Sequence, residues 1–186
     1  KKKGCTPPPP AACPAFTPAE AGKGKPTITI TDAATEAAPL EQKVTLGEST
    51  ADLQVGEAAH DAFNFQIDSA AAEAGFYALL EFPARDDYDL NMMYSDGSYA
   101  ARSHAWNTII EANEVEFPQI GPLSSTGHGG ESTASSEKLV GIKVADCSGW
   151  TMDVANYLGE GGELTVKLWL GEAKTDPQEQ GAEPGA

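Results

Sequence analysis

The amino-acid sequence predicts an all-β fold, an antiparallel sandwich of about nine short strands. Three observations carry this. Apolar residues recur with a period of two rather than 3.6, β-branched and aromatic residues fill those runs, and Gly, Pro, Asp and Ser punctuate them. Helix signals are weak, since the alanine run at 70–74 is too short and too close to Gly75 to be more than a turn.

The strands follow in order. Thr27-Ile28-Thr29-Ile30-Thr31 is a β-branched alternating run, and Val44 with Leu46 marks a second short strand. Phe63, Phe65 and Ile67 alternate with Asn64 and Gln66 in a third. Phe76, Ala78, Leu80 and Phe82 form one face of a fourth, ended by Pro83. Tyr88, Leu90, Met92 and Tyr94 form the apolar face of a fifth, with Asp87, Asp89 and Asn91 opposite. Ser95-Asp96-Gly97-Ser98 is a hairpin turn, because Asp-Gly supplies the positive φ angles that tight turns need, and 99–102 returns as a sixth strand. Val140, Ile142 and Val144 share one side of a seventh. Trp150, Met152 and Val154 define the eighth, and Leu164, Val166, Leu168 and Leu170 the ninth, after a Gly-rich turn. A one-residue slip in any strand would turn its whole apolar set to water, so these sets are expected to face one interior.

Composition divides the chain of 186 residues into three parts. Residues 1–26 read as a Pro/Gly-rich linker or tether, with 7–10 in polyproline II. Residues 27–171 form a single sandwich domain, interrupted by a long polar loop at 111–137 that exceeds an ordinary hairpin connection. Residues 172–186 read as a disordered acidic tail.

The formal net charge is -16, from 28 acids against 12 bases. Nucleic-acid binding requires a basic stripe to neutralise phosphates, and beyond Lys1, Lys2 and Lys3 no such cluster exists. No apolar run approaches the roughly 20 residues of a membrane-spanning helix. Three cysteines are present, Cys5, Cys13 and Cys147. An odd count in an exported chain implies one pair and one leftover thiol. Cys13 and Cys147 lie at the edges of the ordered sequence and are expected to bond, which places the protein outside the cell or at its surface. Cys5 precedes the proline tract as a lipid-tether cysteine would, but Lys1, Lys2 and Lys3 do not supply the small apolar residues of a lipobox. It is therefore either a lipid-attachment site or an incidental cysteine.

Four segments carry a resemblance to a known family. These are Phe63-Asn64-Phe65-Gln66-Ile67, the strand from Asp87-Tyr88-Asp89-Leu90-Asn91-Met92 to Gly97, Trp150-Thr151-Met152-Asp153-Val154, and the closing run from Leu164 to Leu170. Over roughly residues 58–171 the chain resembles the bacterial pre-peptidase C-terminal (PPC) domain, whose pattern includes a strand of the form Asp-x-Asp-Leu-x-Leu-x-x-x-x-Gly. The resemblance implies a jelly-roll-like sandwich exported with secreted enzymes and acting without catalysis. Relatives bind collagen, polysaccharide or calcium. The chain departs from the pattern in its 111–137 insertion, in its Cys13/Cys147 pair and in having no adjoining catalytic domain within this sequence.

Asp87 and Asp89 share a strand face with Asn91, and Asp86 is adjacent, so several oxygen ligands gather in a small area. Calcium takes six to eight such oxygens at about 2.3–2.6 Å. The EF-hand pattern fails because Met92, not Gly, follows Asn91. The alternative is that the acids are solvated or cap neighbouring loop N–H groups. His60, His104 and His128 have no partner at zinc-ligand spacing. His128-Gly129-Gly130 lacks the Gly-x-Ser-x-Gly elbow that an esterase oxyanion motif accompanies. Trp150 falls in the inward series. Trp169 is out of phase with Leu168 and Leu170 and should face outward, and Trp106 follows the sixth strand. Trp106 and Trp169 are thus the candidate stacking platforms for a sugar.

The expected function is a non-catalytic extracellular or cell-surface binding or accessory domain, with a polysaccharide or a protein surface as its partner. The alternatives are a structural or inhibitory accessory protein without a small ligand, and a hydrolase whose site assembles only in three dimensions. No cofactor is required by these residues, calcium being the one candidate.

Overall fold

Strands with one apolar face must bury it against a second layer, and the chain does so with two sheets. A computed structural model describes residues 11–49, 59–82, 86–103 and 136–173. Its strands are β1 (Thr27–Thr31), β2 (Leu40–Leu46), β3 (Ala59–Asp68), β4 (Ala74–Glu81), β5 (Asp87–Met93), β6 (Tyr99–Ser103), β7 (Ser136–Val144), β8 (Gly149–Leu158) and β9 (Gly162–Gly171). A single 3-10 turn, Glu20–Gly22, precedes them. One sheet has the order β1-β3-β8-β5-β6 and the other β2-β9-β4-β7.

From β2 onward the chain crosses between the sheets at every step except the β5–β6 hairpin, which is the arrangement of a jelly roll. Strand β1 is an addition to it. It lies parallel to β3, with Thr27 opposite Asn64 and Thr31 opposite Asp68, so the expected wholly antiparallel pairing has this one exception. The physical reason is topological. β2 intervenes in the opposite sheet, so the connection is a crossover and not a hairpin.

The interior is closed by contacts that span the sheets. Phe65 of β3 stacks on Phe76 of β4, with ring centroids 4.8 Å apart and planes 14° apart, and Trp150 of β8 lies 5.9 Å from Phe65. The Phe63/Phe65/Ile67 and Tyr88/Leu90/Met92 sets are buried throughout. Val166, Leu168 and Leu170 are buried as well, while Leu164 packs against the core from the strand end. Strand β7 departs from simple alternation. Phe76 opposes Ile142, but Ala78 opposes Leu139, so Val140 and Gly141 together face Tyr77. The bulge uses Gly141 at φ +69°, a left-handed conformation that glycine adopts without steric cost. It brings Leu139 inward in the position expected of Val140.

The segment ahead of β1 also differs from a free linker. Residues 1–10 lie outside the described residues, but residues 11–25 form a strap across the outer face of the five-stranded sheet. Cys13 and Cys147 are bonded, 134 residues apart in sequence. Gln66 Nε2 donates to the Pro14 carbonyl at 2.7 Å, the Ser95 hydroxyl donates to the Thr17 carbonyl, and Lys25 is paired with Asp61. At the centre, the Thr151 hydroxyl donates to Asn64 Oδ1 at 2.8 Å and accepts from the Ala19 N–H at 3.0 Å. Asn64 Nδ2 donates to the carbonyls of Gly22 and Lys25 at 2.7 and 3.0 Å. Asn64 and Thr151, outward-facing and each 0% exposed, are polar residues that the strap's backbone satisfies. A Cβ at Gly22 would meet Asn64 Oδ1 at 1.9 Å, so only glycine lets the strap approach this closely.

Two variants test the strap. Cys13→Ser with Cys147→Ser is expected to lower stability by about 2–5 kcal/mol and to open the Lys23–Gly24 bond to trypsin under native conditions. Gly22→Ala is expected to open the same bond with the disulfide intact. Equal trypsin resistance in wild type and both variants would contradict this assignment.

Candidate functional site

Tyr77 and Trp169 are direct cross-strand neighbours on β4 and β9. Both occupy the outward phase of strands whose inward residues build the core, so both project from the four-stranded sheet. Their rings stack with centroids 5.4 Å apart and planes 10° apart. Gly171 keeps the space beside them open, since a Cβ there would touch Tyr77 Cε2 at 3.2 Å. The Tyr77 hydroxyl donates to the Glu172 carbonyl at 2.8 Å. Burial first, then the charges of Glu172 and Glu36, raise the Tyr77 pKa above its ordinary value, so the phenol keeps its proton at neutral pH. A groove of about 490 Å³ surrounds the pair, with Leu79, Lys138, Glu36 and Glu172 among its walls.

Trp169 therefore takes the outward position expected of it, while Trp106 lies outside the described residues. Tyr77 was missed in the sequence. The signal was present, because Tyr77 is out of phase with Phe76 and Ala78 in the way that Trp169 is with Leu168 and Leu170.

The opposite outer face carries a second polar grouping. Asn91 pairs with Asp153 across β5 and β8, and His60 is next to Ala155 across β3 and β8. His60 Nδ1 lies 3.0 Å and 3.2 Å from the two carboxylate oxygens of Asp153. A carboxylate only accepts, so the imidazole donates from Nδ1. Asn91 Nδ2 donates to the same carboxylate at 3.4 Å. Among the described residues, His60 has no hydrogen bond from a hydroxyl or thiol. His104 and His128 lie outside the described residues, as does Cys5.

The acids of β5 are not a solvated face. Asp87 is 3% exposed and Asp89 6%, and both make interactions within the protein. Asp86 goes elsewhere: its carboxyl and the Tyr88 phenol are hydrogen-bonded beside Gly159. Among the described residues, the grouping of three ligand-type side chains within 4.8 Å is Cys13, Asp146 and Cys147, and its sulfurs are bonded to each other. Among the described residues, Asp86, Asp87 and Asp89 do not set three carboxylate oxygens within 4.8 Å of one another. No helix among the described residues is long and apolar enough to cross a membrane.

No protein-family model matches the chain, and no curated protein matches its sequence.

The Asp86 corner yields a pH prediction. Burial, then the charge of Glu160, raise the Asp86 pKa, against the lowering effect of the Tyr88 hydroxyl. A raised carboxyl pKa means that this site's stabilising contribution is present below the unfolded value of 3.8 and is lost as pH rises through the folded value. Asp86→Asn keeps an acceptor for Tyr88 and removes the charge. Its melting temperature is expected to exceed that of wild type at neutral pH, the gap closing as pH falls to 3.8. An equal or lower melting temperature at neutral pH would contradict the assignment.

Proposed function

We propose that the domain is a non-catalytic binding module of an exported protein, which holds a polysaccharide chain against Tyr77 and Trp169. The observation that carries this reading is the stacked aromatic pair in a groove walled by Glu36, Lys138 and Glu172. A β-linked pyranose presents a flat face of C–H groups, which packs on aromatic rings, and an equatorial rim of hydroxyls. Carboxylates accept from those hydroxyls and an ammonium donates to them, while the apolar walls remove ring surface from water. Ordered strands on a rigid sandwich place these groups before the ligand arrives, which reduces the entropic cost of binding. The Cys13–Cys147 bond supports export, since such bridges persist in oxidising compartments. The charge of -16 favours neutral or cationic chains over anionic ones.

Cellohexaose, xylohexaose and chitohexaose are the probes. Titration of the full chain is expected to quench or shift Trp fluorescence with at least one of them, and Trp169→Ala is expected to weaken that binding by about tenfold or more. Trp169 is half-buried, so the variant should keep the wild-type circular dichroism. Absence of binding to all three, or binding indifferent to Trp169→Ala, would sink the reading.

A further inference from the structure

Among the described residues the two sheets have four edge strands, β1, β6, β2 and β7, and unpaired edges are sites where another strand can add. Three of them carry features that discourage such addition. β2 alternates exposed Glu41 and Lys43 along its length, and its Thr45 N–H is already bonded to Asp61 Oδ2 at 2.7 Å. β7 carries Lys138 and Lys143 and is broken by the bulge at Gly141. The pairing of β6 with β5 shifts register between Met92 and Met93. β1 has none of these. It is Thr-Ile-Thr-Ile-Thr, uncharged, without proline inside it and in unbroken register with β3. Among the described residues β3 alone pairs with it.

We infer that β1 is a self-association edge, pairing antiparallel with β1 of a second copy of this chain about a two-fold axis at Thr29. The sequence of the strand is the same read in either direction. A two-fold pairing therefore sets Thr27 against Thr31 of the second copy, Ile28 against Ile30 and Thr29 against Thr29. Threonines meet on the outer face, where cross-strand threonine pairs are favourable. Isoleucines meet on the inner face, where Ile28 is only partly buried and packs at the margin of the core. Strand addition covers that margin and joins the two sheets into one.

The flanking charges agree with this direction. Lys25, paired within its own copy with Asp61, precedes the strand, and Asp32, which accepts from the Ser69 hydroxyl and the Ala70 N–H, follows it, so antiparallel pairing sets the end bearing Lys25 beside the end bearing Asp32 of the other copy, at both ends. A parallel arrangement would set like charges together. A five-residue edge is small against the roughly 1,200–2,000 Å² of a standard stable interface, and each copy carries -16. The dimer is accordingly weak, and it tightens as salt screens the repulsion.

Sedimentation equilibrium of the full chain tests this. Wild type is expected to show a monomer–dimer equilibrium whose association strengthens with added sodium chloride. Thr29→Lys and Thr29→Glu each place two like charges on the axis and are expected to weaken it by at least about tenfold. An equimolar mixture of the two variants restores dimers, because Lys and Glu then meet across the axis. Circular dichroism and melting curves confirm that each variant is folded. If one variant does not fold, Thr29→Asp or Thr29→Arg replaces it with the same charge logic. Wild type that stays monomeric to about 1 mM, as it would if this edge served a strand of another protein, overturns the inference. So does a dimer unaffected by Thr29→Lys, or a mixture of folded variants that remains monomeric.

Discussion

The rest of the architecture turns on the hydrogen-bond set that Asn64 and Thr151 make with the strap. Both side chains lie on the outer face of a sheet, where a strand would ordinarily meet water, yet both are 0% exposed. Each polar group among them is used: Thr151 donates to Asn64 and accepts from Ala19, and Asn64 donates to two carbonyls. A buried polar group without a partner costs about 1–3 kcal/mol, so the strap seats in one position or not at all. The disulfide holds its far end at the turn before β8. A sandwich has two outer faces, and this set decides that one of them is partly closed by the chain itself. Tyr77 and Trp169 stand on the other, four-stranded face.

The core was legible because alternation states which side chains share a face. Phe63, Phe65 and Ile67 needed no information beyond their own spacing, and the same holds for Tyr88, Leu90 and Met92. Alternation failed where the backbone itself departs from it. In β7 the apolar run Leu139, Val140, Ile142, Val144 fits two phases, and the bulge at Gly141 chooses between them only once Phe76 and Ala78 are in place opposite. The strap was hidden for a different reason. Its proline and glycine content suits a linker, and its partners lie between 36 and 134 residues away in sequence. Burial of Asp87 and Asp89 was likewise invisible, since a strand with acids at alternate positions reads as a solvated edge of the pattern.

Tyr77 shows how a site can be half legible. Its phase was readable, but its importance comes from standing opposite Trp169, and that depends on β4 pairing with β9 across a separation that local sequence does not encode. The His60–Asp153 contact is of the same kind, a long-range pair with no spacing to announce it. On the strapped face it orients an imidazole beside Asn91. On the four-stranded face the groups are aromatic planes, carboxylates and an ammonium.

The central claim is that the open four-stranded face, and not the strapped one, engages the ligand. Two-dimensional NMR of the isotope-labelled chain during titration with cellohexaose, xylohexaose and chitohexaose tests it most directly. The account predicts that shifts concentrate at the Trp169 indole N–H and at amides of β4 and β9 around Tyr77, with amides of Asn64, Thr151 and the strap unmoved. Shifts centred on His60, Asp153 and the strap, with Trp169 unchanged, would contradict it.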